Sequence, residues 1–303
     1  MIIKEDFEIK NYTTFKIGGR VKSVYFPESE QEFTELMQKL DEYIVLGGCS
    51  NVLFSSDGYD GNLVMTTELK EYNIKNSEVQ ALCGVRGPLL AQKTCEANLS
   101  GFEFMIGFPG SIGGEIYMNA GAHGQTISDF LVSCTLFDKI NKCTIVMNRD
   151  EMEFGYRKSI LQNSDYVLIS AKFKLEKKSK NEIESKINEN LNFRKNIQPS
   201  LKYPNAGSVF KNPENNSAGR LLDMAGAKEF NDDNVCVWNN HANFIVNKKN
   251  ASSKEVLNLM LKMHNSVKEQ FNVDLIPEIL YIGNRSKDEE LLWNMLYKTK
   301  TQK

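Results

Sequence analysis

GFPGSIGGEIYMNAGAHG, Gly107 to Gly124, sets six glycines and one proline among apolar residues that would otherwise belong to a core. Glycine is less stable than alanine in regular structure by roughly 0.5–1 kcal/mol per residue, so such a cluster marks positive φ or a close approach to the backbone. Successive exposed N–H groups in turns of this kind form an anion-binding nest, which makes phosphate the natural ligand. Tight turns between short strands would give the same pattern, and this segment alone leaves both readings open. A second loop, LGGCSNVLFSSDGYDG from Leu46 to Gly61, follows the apolar run Tyr43-Ile44-Val45-Leu46, a buried strand that ends on Gly47-Gly48. Two such loops suit two halves of one long ligand. There is no G-x-x-x-x-G-K-[ST], and no G-x-G-x-x-G follows a strand with an acid about 20 residues on, which disfavours a Rossmann site. A pyrophosphate held by loops of some other α+β fold remains open.

The chain has 303 residues, enough for two or three domains, and its 41% hydrophobic and 25% charged content is that of a globular protein with a sizeable core. A net charge of −2 gives no overall footprint for nucleic acid or an anionic membrane. No stretch reaches the roughly 18 consecutive apolar residues of a membrane span. The N-terminus, MIIKEDFEIKNYTTF, carries acids where a secretory signal would be basic and then apolar, so a cytoplasmic location is expected. Six cysteines are scattered without a C-x-x-C pair, which argues against a disulfide framework and a zinc site; no metal is expected. Cys49 lies in a glycine loop, yet none of the three histidines is near it in sequence, which argues against a nucleophile.

Strand and helix signals alternate at first. Val21 to Phe26 reads as a strand, Ser29 to Glu32 as a capping box opening a helix with Phe33, Leu36, Met37 and Leu40 on one face, and Asn62 to Thr66 as a strand. From Glu71 strands dominate: Val79 to Val85, Leu131 to Phe137, Cys143 to Met147 and Tyr166 to Leu175, with a helix after Gly87-Pro88. A larger antiparallel or mixed sheet is implied. A capping box at Ser179 to Glu182 opens a third region, whose helix stops at Gln198-Pro199-Ser200. Beyond lie the turn and strand Pro204 to Phe210, a short helix Ala218 to Ala225, strands Val235 to Val237 and Asn243 to Val246, and a helix Lys254 to Phe271 capped by Ser252 with Glu255. The tail from Asn284 is amphipathic in its middle, and its basic end, Lys298 to Lys303, is expected to fray.

Several side chains could carry chemistry. In FGYRKS, Phe154 to Ser159, Arg157 follows an aromatic and a glycine, a setting for carboxylate or phosphate recognition or for an ordinary surface arginine. NAGSVFKNP, Asn205 to Pro213, puts Ser208 at the mouth of a strand; no G-x-S-x-G elbow is present, so its chemical role would be proton donation, the alternative being a turn serine. In IPEILYIG, Ile276 to Gly283, Glu278 shares strand parity with Ile276, Leu280 and Ile282, so it is either functionally buried or edge-exposed. His241 and His123 are ambiguous, and His264 reads as a plain helix residue.

In order, NYTTFKIGG (Asn11 to Gly19), the loop at Gly47, GFEFMIGFPGSIGGEIYMNAGAHG (Gly101 to Gly124), FGYRKS, NAGSVFKNP, SAGRLLDMAG (Ser217 to Gly226), HANFIVN (His241 to Asn247) and IPEILYIG resemble the UDP-N-acetylenolpyruvoylglucosamine reductases of bacterial peptidoglycan synthesis. The resemblance implies an α+β protein with an FAD-binding fold of the PCMH/vanillyl-alcohol-oxidase type. Residues 1–68 and 69–178 would form its two subdomains, 179–283 a C-terminal α+β substrate domain, and 284–303 a tail. It implies non-covalent FAD held by Gly47, Gly48, Cys49, Ser50, Asn51, Gly110, Ser111, Gly113, Gly114, Asn119, Ala120 and Gly121. NADPH would be the hydride donor and UDP-N-acetylglucosamine enolpyruvate the substrate. Arg157, Ser208 and Glu278 match the family's catalytic positions: Arg157 would pair with the substrate carboxylate, Glu278, protonated when it acts, would hydrogen-bond to it, and Ser208 would donate the proton. Asn212 and Arg220 would contact substrate or cofactor. The short spacing from Ser208 to Glu278 matches the family's shorter group, which lacks a tyrosine loop insertion, and Cys49 stands where a third glycine is common. A cytoplasmic monomer with no nucleic-acid partner is implied. The alternatives are an oxidase of the same fold superfamily with flavin tethered at His123 or Cys49, and a non-catalytic nucleotide-sugar binding protein.

Overall fold

The computed structural model describes residues 1–200 and 202–297, so the basic end at Lys298 to Lys303 lies outside the described residues. The chain opens with β1 (Ile2–Glu8), β2 (Arg20–Phe26), α1 (Glu30–Lys39), β3 (Ile44–Leu46), β4 (Val52–Phe54) and β5 (Tyr59–Met65). Next come β6 (Tyr72–Lys75), β7 (Glu78–Leu82), α2 (Gly87–Glu96), β8 (Leu99–Ser100), α3 (Ile112–Tyr117), β9 (Gly121–Ala122) and β10 (Gln125–Thr126). They are followed by β11 (Leu131–Asp138), β12 (Cys143–Asn148), β13 (Tyr166–Lys174), β14 (Glu176–Lys177) and α4 (Lys180–Ile197). The remainder is α5 (Ala218–Met224), β15 (Val235–Val237), β16 (Ile245–Asn247), α6 (Ser253–Phe271), β17 (Leu280–Ile282) and α7 (Lys287–Met295). The mixture of helix and strand is the expected α+β. β1 is mostly exposed and lacks alternation, which is why it escapes recognition in the sequence.

Two compact units divide the chain: Met1–Glu5, Ser23–Gly48 and Gly61–Arg194 in the first, Asp6–Lys22, Cys49–Asp60 and Lys195–Lys303 in the second. In the first, the larger sheet that the strand runs imply is antiparallel, with the order β12-β11-β13-β7-β6. Ile169, Ala171 and Phe173 of β13 are buried, and Phe173 meets Phe102 edge to face at 5.1 Å, a favoured aromatic geometry in a core. β3 pairs in parallel with β5, Leu46 opposite Met65, and so delivers Gly47 at the strand's end. One expected feature differs. Ser29 caps α1 by accepting from the Glu32 N–H, but the Glu32 carboxylate does not return to Ser29; it accepts from the Glu28 N–H and from the Met1 ammonium, whose charge draws it away. The boxes at Ser179/Glu182 and Ser252/Glu255 both close.

The second unit has its own core, in which Val256, Leu257, Met260, Met263 and Val267 of α6 pack with Phe15, Phe210 and Ile279. β15 pairs antiparallel with β16, and β17 pairs in parallel with β4. The expected strand after Pro277 pairs with β4 only over Leu280–Ile282, because the stretch before it is engaged with Phe210 and its neighbours: Pro277 bridges Phe210 and the Glu278 N–H donates to Val209 O. The tail has a structural place. α7 opens with a capping box between Ser286 and Glu289, and Glu289, only 3% exposed, also accepts from the Ser253 hydroxyl at the start of α6. Trp293 packs on Tyr281 and Lys254 pairs with Asp288. Glu289→Ala removes a cap and takes away the acceptor of the buried Ser253 hydroxyl. It should lower unfolding free energy by about 1–3 kcal/mol in urea titrations, and an unchanged midpoint would contradict the docking of α7.

Candidate active site

In the first unit the two glycine loops touch. A Cβ on Gly47 would lie 2.2 Å from Ser111 Oγ, and one on Gly48 would lie 3.1 Å from the Pro109 carbonyl, so part of the glycine requirement is loop against loop. Two amides of the expected nest are already bonded: Ile112 N–H donates to Val85 O at 2.9 Å and Gly113 N–H to Cys83 O at 2.8 Å. What is left for a ligand is different. Ser111 Oγ is buried with no hydrogen-bond partner, and the space beside Gly114 is open, the nearest atom to a Cβ there being Ser111 Oγ at 4.0 Å. A buried hydroxyl without a partner is costly unless a ligand satisfies it. Gly110, between Pro109 and Ser111, accepts from the Gly87 N–H at 3.2 Å, which ties the loop to the start of α2.

The C-terminal part of the same segment meets Arg157. Asn119, at φ 42°, donates its amide to Gly155 O at 2.9 Å, and Ala120 N–H donates to Glu115 O at 2.7 Å. Gly155 and Lys158 close a tight turn by reciprocal backbone bonds, with Tyr156 and Arg157 at its tip. Arg157 donates from Nη2 to Gly121 O at 3.2 Å, and Gln162 donates to the Arg157 carbonyl at 3.0 Å. Arg157, 36 residues beyond Gly121, is thus held on the glycine segment by its guanidinium.

The second unit gathers the others. Asn205 Oδ1 accepts from the Gly207 N–H at 3.0 Å, and Gly207, at φ 76°, turns the chain into the strand of Ser208. Ser208 bridges Phe244, while Val209 O accepts from the Glu278 N–H at 2.8 Å. Asn51 Nδ2 donates to the Glu278 carbonyl at 3.0 Å, and the Ser50 carbonyl would lie 3.8 Å from a Cβ on Gly207. Ser50, Asn51, Ser208 and Glu278 are therefore neighbours. Glu278 lies on the partly exposed face with Ile276, Leu280 and Ile282, as parity predicts, while Ile279 and Tyr281 are buried. Asn212 and Arg220 are exposed, and Asn212 Oδ1 accepts from the Ala218 N–H at 3.0 Å at the start of α5. Cys49 takes φ 49°, the left-handed region that favours glycine, and burial pushes its thiol up to about 12, so it is a poor nucleophile and a poor flavin tether. Burial lowers the His241 pKa, and its Nδ1 accepts from the Asn243 N–H at 3.2 Å, a neutral structural histidine.

Comparison with known proteins decides what this arrangement is. A UDP-N-acetylenolpyruvoylglucosamine reductase of Caldicellulosiruptor bescii is 39% identical over 285 residues, covering 92% of this chain and 90% of that protein. The chain belongs to the UDP-N-acetylenolpyruvoylglucosamine reductase family. A reductase of the same name from Clostridium botulinum strain Alaska E43 is 35% identical, with 93% of each chain covered. The family profile described as UDP-N-acetylenolpyruvoylglucosamine reductase, C-terminal domain, matches residues 198–282, and an FAD binding domain profile matches residues 21–143. The crystal structure of the reductase from Thermus caldophilus superposes with a TM-score of 0.79 at 31% identity, covering 92% of this chain and 98% of that one. The expected family and the expected FAD-binding fold are both borne out.

One group in the glycine segment goes unremarked in the sequence. Glu115 is 3% exposed, neither carboxyl oxygen has a partner, and Oε1 would lie 2.1 Å from a Cβ on Gly87. Burial raises its pKa from the ordinary 4.5 to about 8. The folded protein therefore keeps a proton that the unfolded chain releases above pH 4.5, and the native state is progressively disfavoured as pH climbs from 4.5 to 8. The slope approaches about 1.4 kcal/mol per pH unit. Glu115→Gln should flatten it: between pH 5.5 and pH 8 the melting temperature of the variant should gain on that of the wild type. Parallel curves in thermal scans would mean that Glu115 does not titrate in that window.

Proposed function

We propose that this protein reduces UDP-N-acetylglucosamine enolpyruvate to UDP-N-acetylmuramate in peptidoglycan synthesis, with NADPH as hydride donor and non-covalent FAD as carrier. The observation that carries this reading is the convergence of Asn51, Ser208 and Glu278 in a chain of this family, through the Asn51 side-chain amide on the Glu278 carbonyl and the Glu278 N–H on the Val209 carbonyl beside Ser208. The residues present fit the cofactor. Ser111 Oγ offers an unpartnered donor, Gly114 leaves room for a flat or phosphate-bearing group, and Gly47, Gly48, Gly110, Gly121 and Ala120 line the same loops with backbone. FAD held there would supply hydride chemistry, linking NADPH as donor to the methylene carbon of the enol ether as acceptor.

Adding hydride there turns the methylene into a methyl group and leaves negative charge on the adjacent carbon, conjugated with the carboxylate. Stabilising such developing charge is usually the largest catalytic contribution. Arg157, fixed on Gly121, would pair with the carboxylate, and Glu278, in its protonated form, would donate a hydrogen bond to it. Ser208 would give its hydroxyl proton to the adjacent carbon and recover one from solvent, so that one hydride and one proton are added in all. Asn212 and Arg220 are the exposed candidates for the nucleotide part of the substrate. Action as a cytoplasmic monomer is part of this proposal; no helix among the described residues is long and apolar enough to cross a membrane.

Ser208→Ala should leave flavin reduction by NADPH intact and slow reoxidation by the enolpyruvyl substrate by roughly 10²–10⁴-fold. Stopped-flow absorbance of the two half-reactions measures this, and an unaltered reoxidation would remove Ser208 from the mechanism.

A further inference from the structure

Asn243 is 3% exposed and sits in the turn between β15 and β16, beside the strand that carries Ser208. Its side-chain amide makes two complementary bonds to one residue: Oδ1 accepts from the Phe210 N–H at 2.9 Å, and Nδ2 donates to the Phe210 carbonyl at 2.8 Å. Its own carbonyl accepts from the Val209 N–H at 2.9 Å. The side chain therefore does the work of a neighbouring strand where no strand runs. On its other side the same segment is held by backbone alone, Glu278 N–H to Val209 O and Lys211 N–H to Ile276 O, both at 2.8 Å. A strand so short has few bonds to fix its register, and each one matters more than in a long ladder.

We propose that Asn243 is a positioning residue for Ser208: its amide locks Phe210, and thereby sets where the serine hydroxyl stands for proton donation. The proposal rests on the reading of Ser208 given above. No other uncharged side chain of this size presents an acceptor and a donor side by side in the plane the backbone requires, apart from the longer glutamine. An aspartate is the informative replacement. Ionised, it still accepts from the Phe210 N–H but turns a second acceptor toward the Phe210 carbonyl; protonated, it regains a donor and mimics asparagine.

The experiment uses the FAD-loaded protein with NADPH and the enolpyruvyl sugar, and follows the two half-reactions separately. Asn243→Asp should reduce flavin at the wild-type rate, yet reoxidise more slowly at pH 8 by on the order of 10²-fold, the scale of a misplaced reacting group. The deficit relative to wild type should shrink as pH falls to 6. His241, whose Nδ1 accepts from the Asn243 N–H, and His264, whose ring lies 6.5 Å from that of Phe210, are present in both proteins, so the deficit is read as a ratio to wild type at each pH. Asn243→Ala should slow reoxidation too, and in a Ser208→Ala background it should add nothing, since its effect runs through that hydroxyl. Additive losses in the double variant, a pH-independent deficit in Asn243→Asp, or equal slowing of both half-reactions would overturn the positioning role. If Ser208→Ala itself reoxidises normally, it is the assignment of the serine that fails.

Discussion

The first unit's share of the site depends on one steric constraint, the absence of a side chain at Gly47. β3 runs straight at the segment of Ser111, and the Oγ of that serine occupies the space a Cβ would need. This contact brings a loop from one end of a parallel strand pair against a loop that precedes α3. Once they meet, Ser111 is buried, its hydroxyl has nothing in the protein to bond to, and the backbone around Gly114 faces open space. Any residue larger than glycine at 47 would push the loops apart and give Ser111 back to water. The glycines thus let the two loops meet and shape the space beside Gly114.

The second unit solves the same problem of placement with hydrogen bonds. Three stretches that are short in sequence and remote from each other, around Asn51, Ser208 and Glu278, are joined by single backbone bonds and by two asparagine amides. Long strands would bury their edges in regular ladders and leave little to project. Short pairings interrupted by Pro277 and by the left-handed Gly207 keep polar side chains at the ends, where chemistry needs them. Asparagine suits this design because its amide can stand in for a peptide group.

Much of this was legible in the sequence, because periodicity and glycine punctuation are local. The alternation in β13, the caps of α4 and α6 and the strand ending on Gly47 need no tertiary knowledge, and motif order is what proposes roles for Arg157, Ser208 and Glu278. What stayed hidden depends on partners far along the chain. Asn243 reads as the first residue of a strand, and its amide's role shows only once Phe210 is seen beside it. Glu115 reads as a surface acid of a short helix, and only the packing of Gly87 on its carboxyl shows that it is enclosed. The Ser29 box half-failed for a similar reason, since the Met1 ammonium that captures Glu32 has no signature in the local pattern.

Charge gives these pieces a common logic. A segment meant to receive a phosphate-bearing cofactor should carry no negative charge, yet Glu115 lies next to Gly114 in sequence. Burial resolves the conflict: with no cation and no donor to stabilise the carboxylate, the neutral acid is the favoured form through the neutral pH range. The same desolvation that makes the residue a burden on stability keeps the field of the cradle clear of an anion. In the proposed reaction, where negative charge develops on the substrate, the counter-charge would come from Arg157, which is held on Gly121 at the far end of the segment from Gly107. Anion binding by neutral donors at one end and charge stabilisation by a guanidinium at the other can then coexist on eighteen consecutive residues, Gly107 to Gly124, and the turn that meets them.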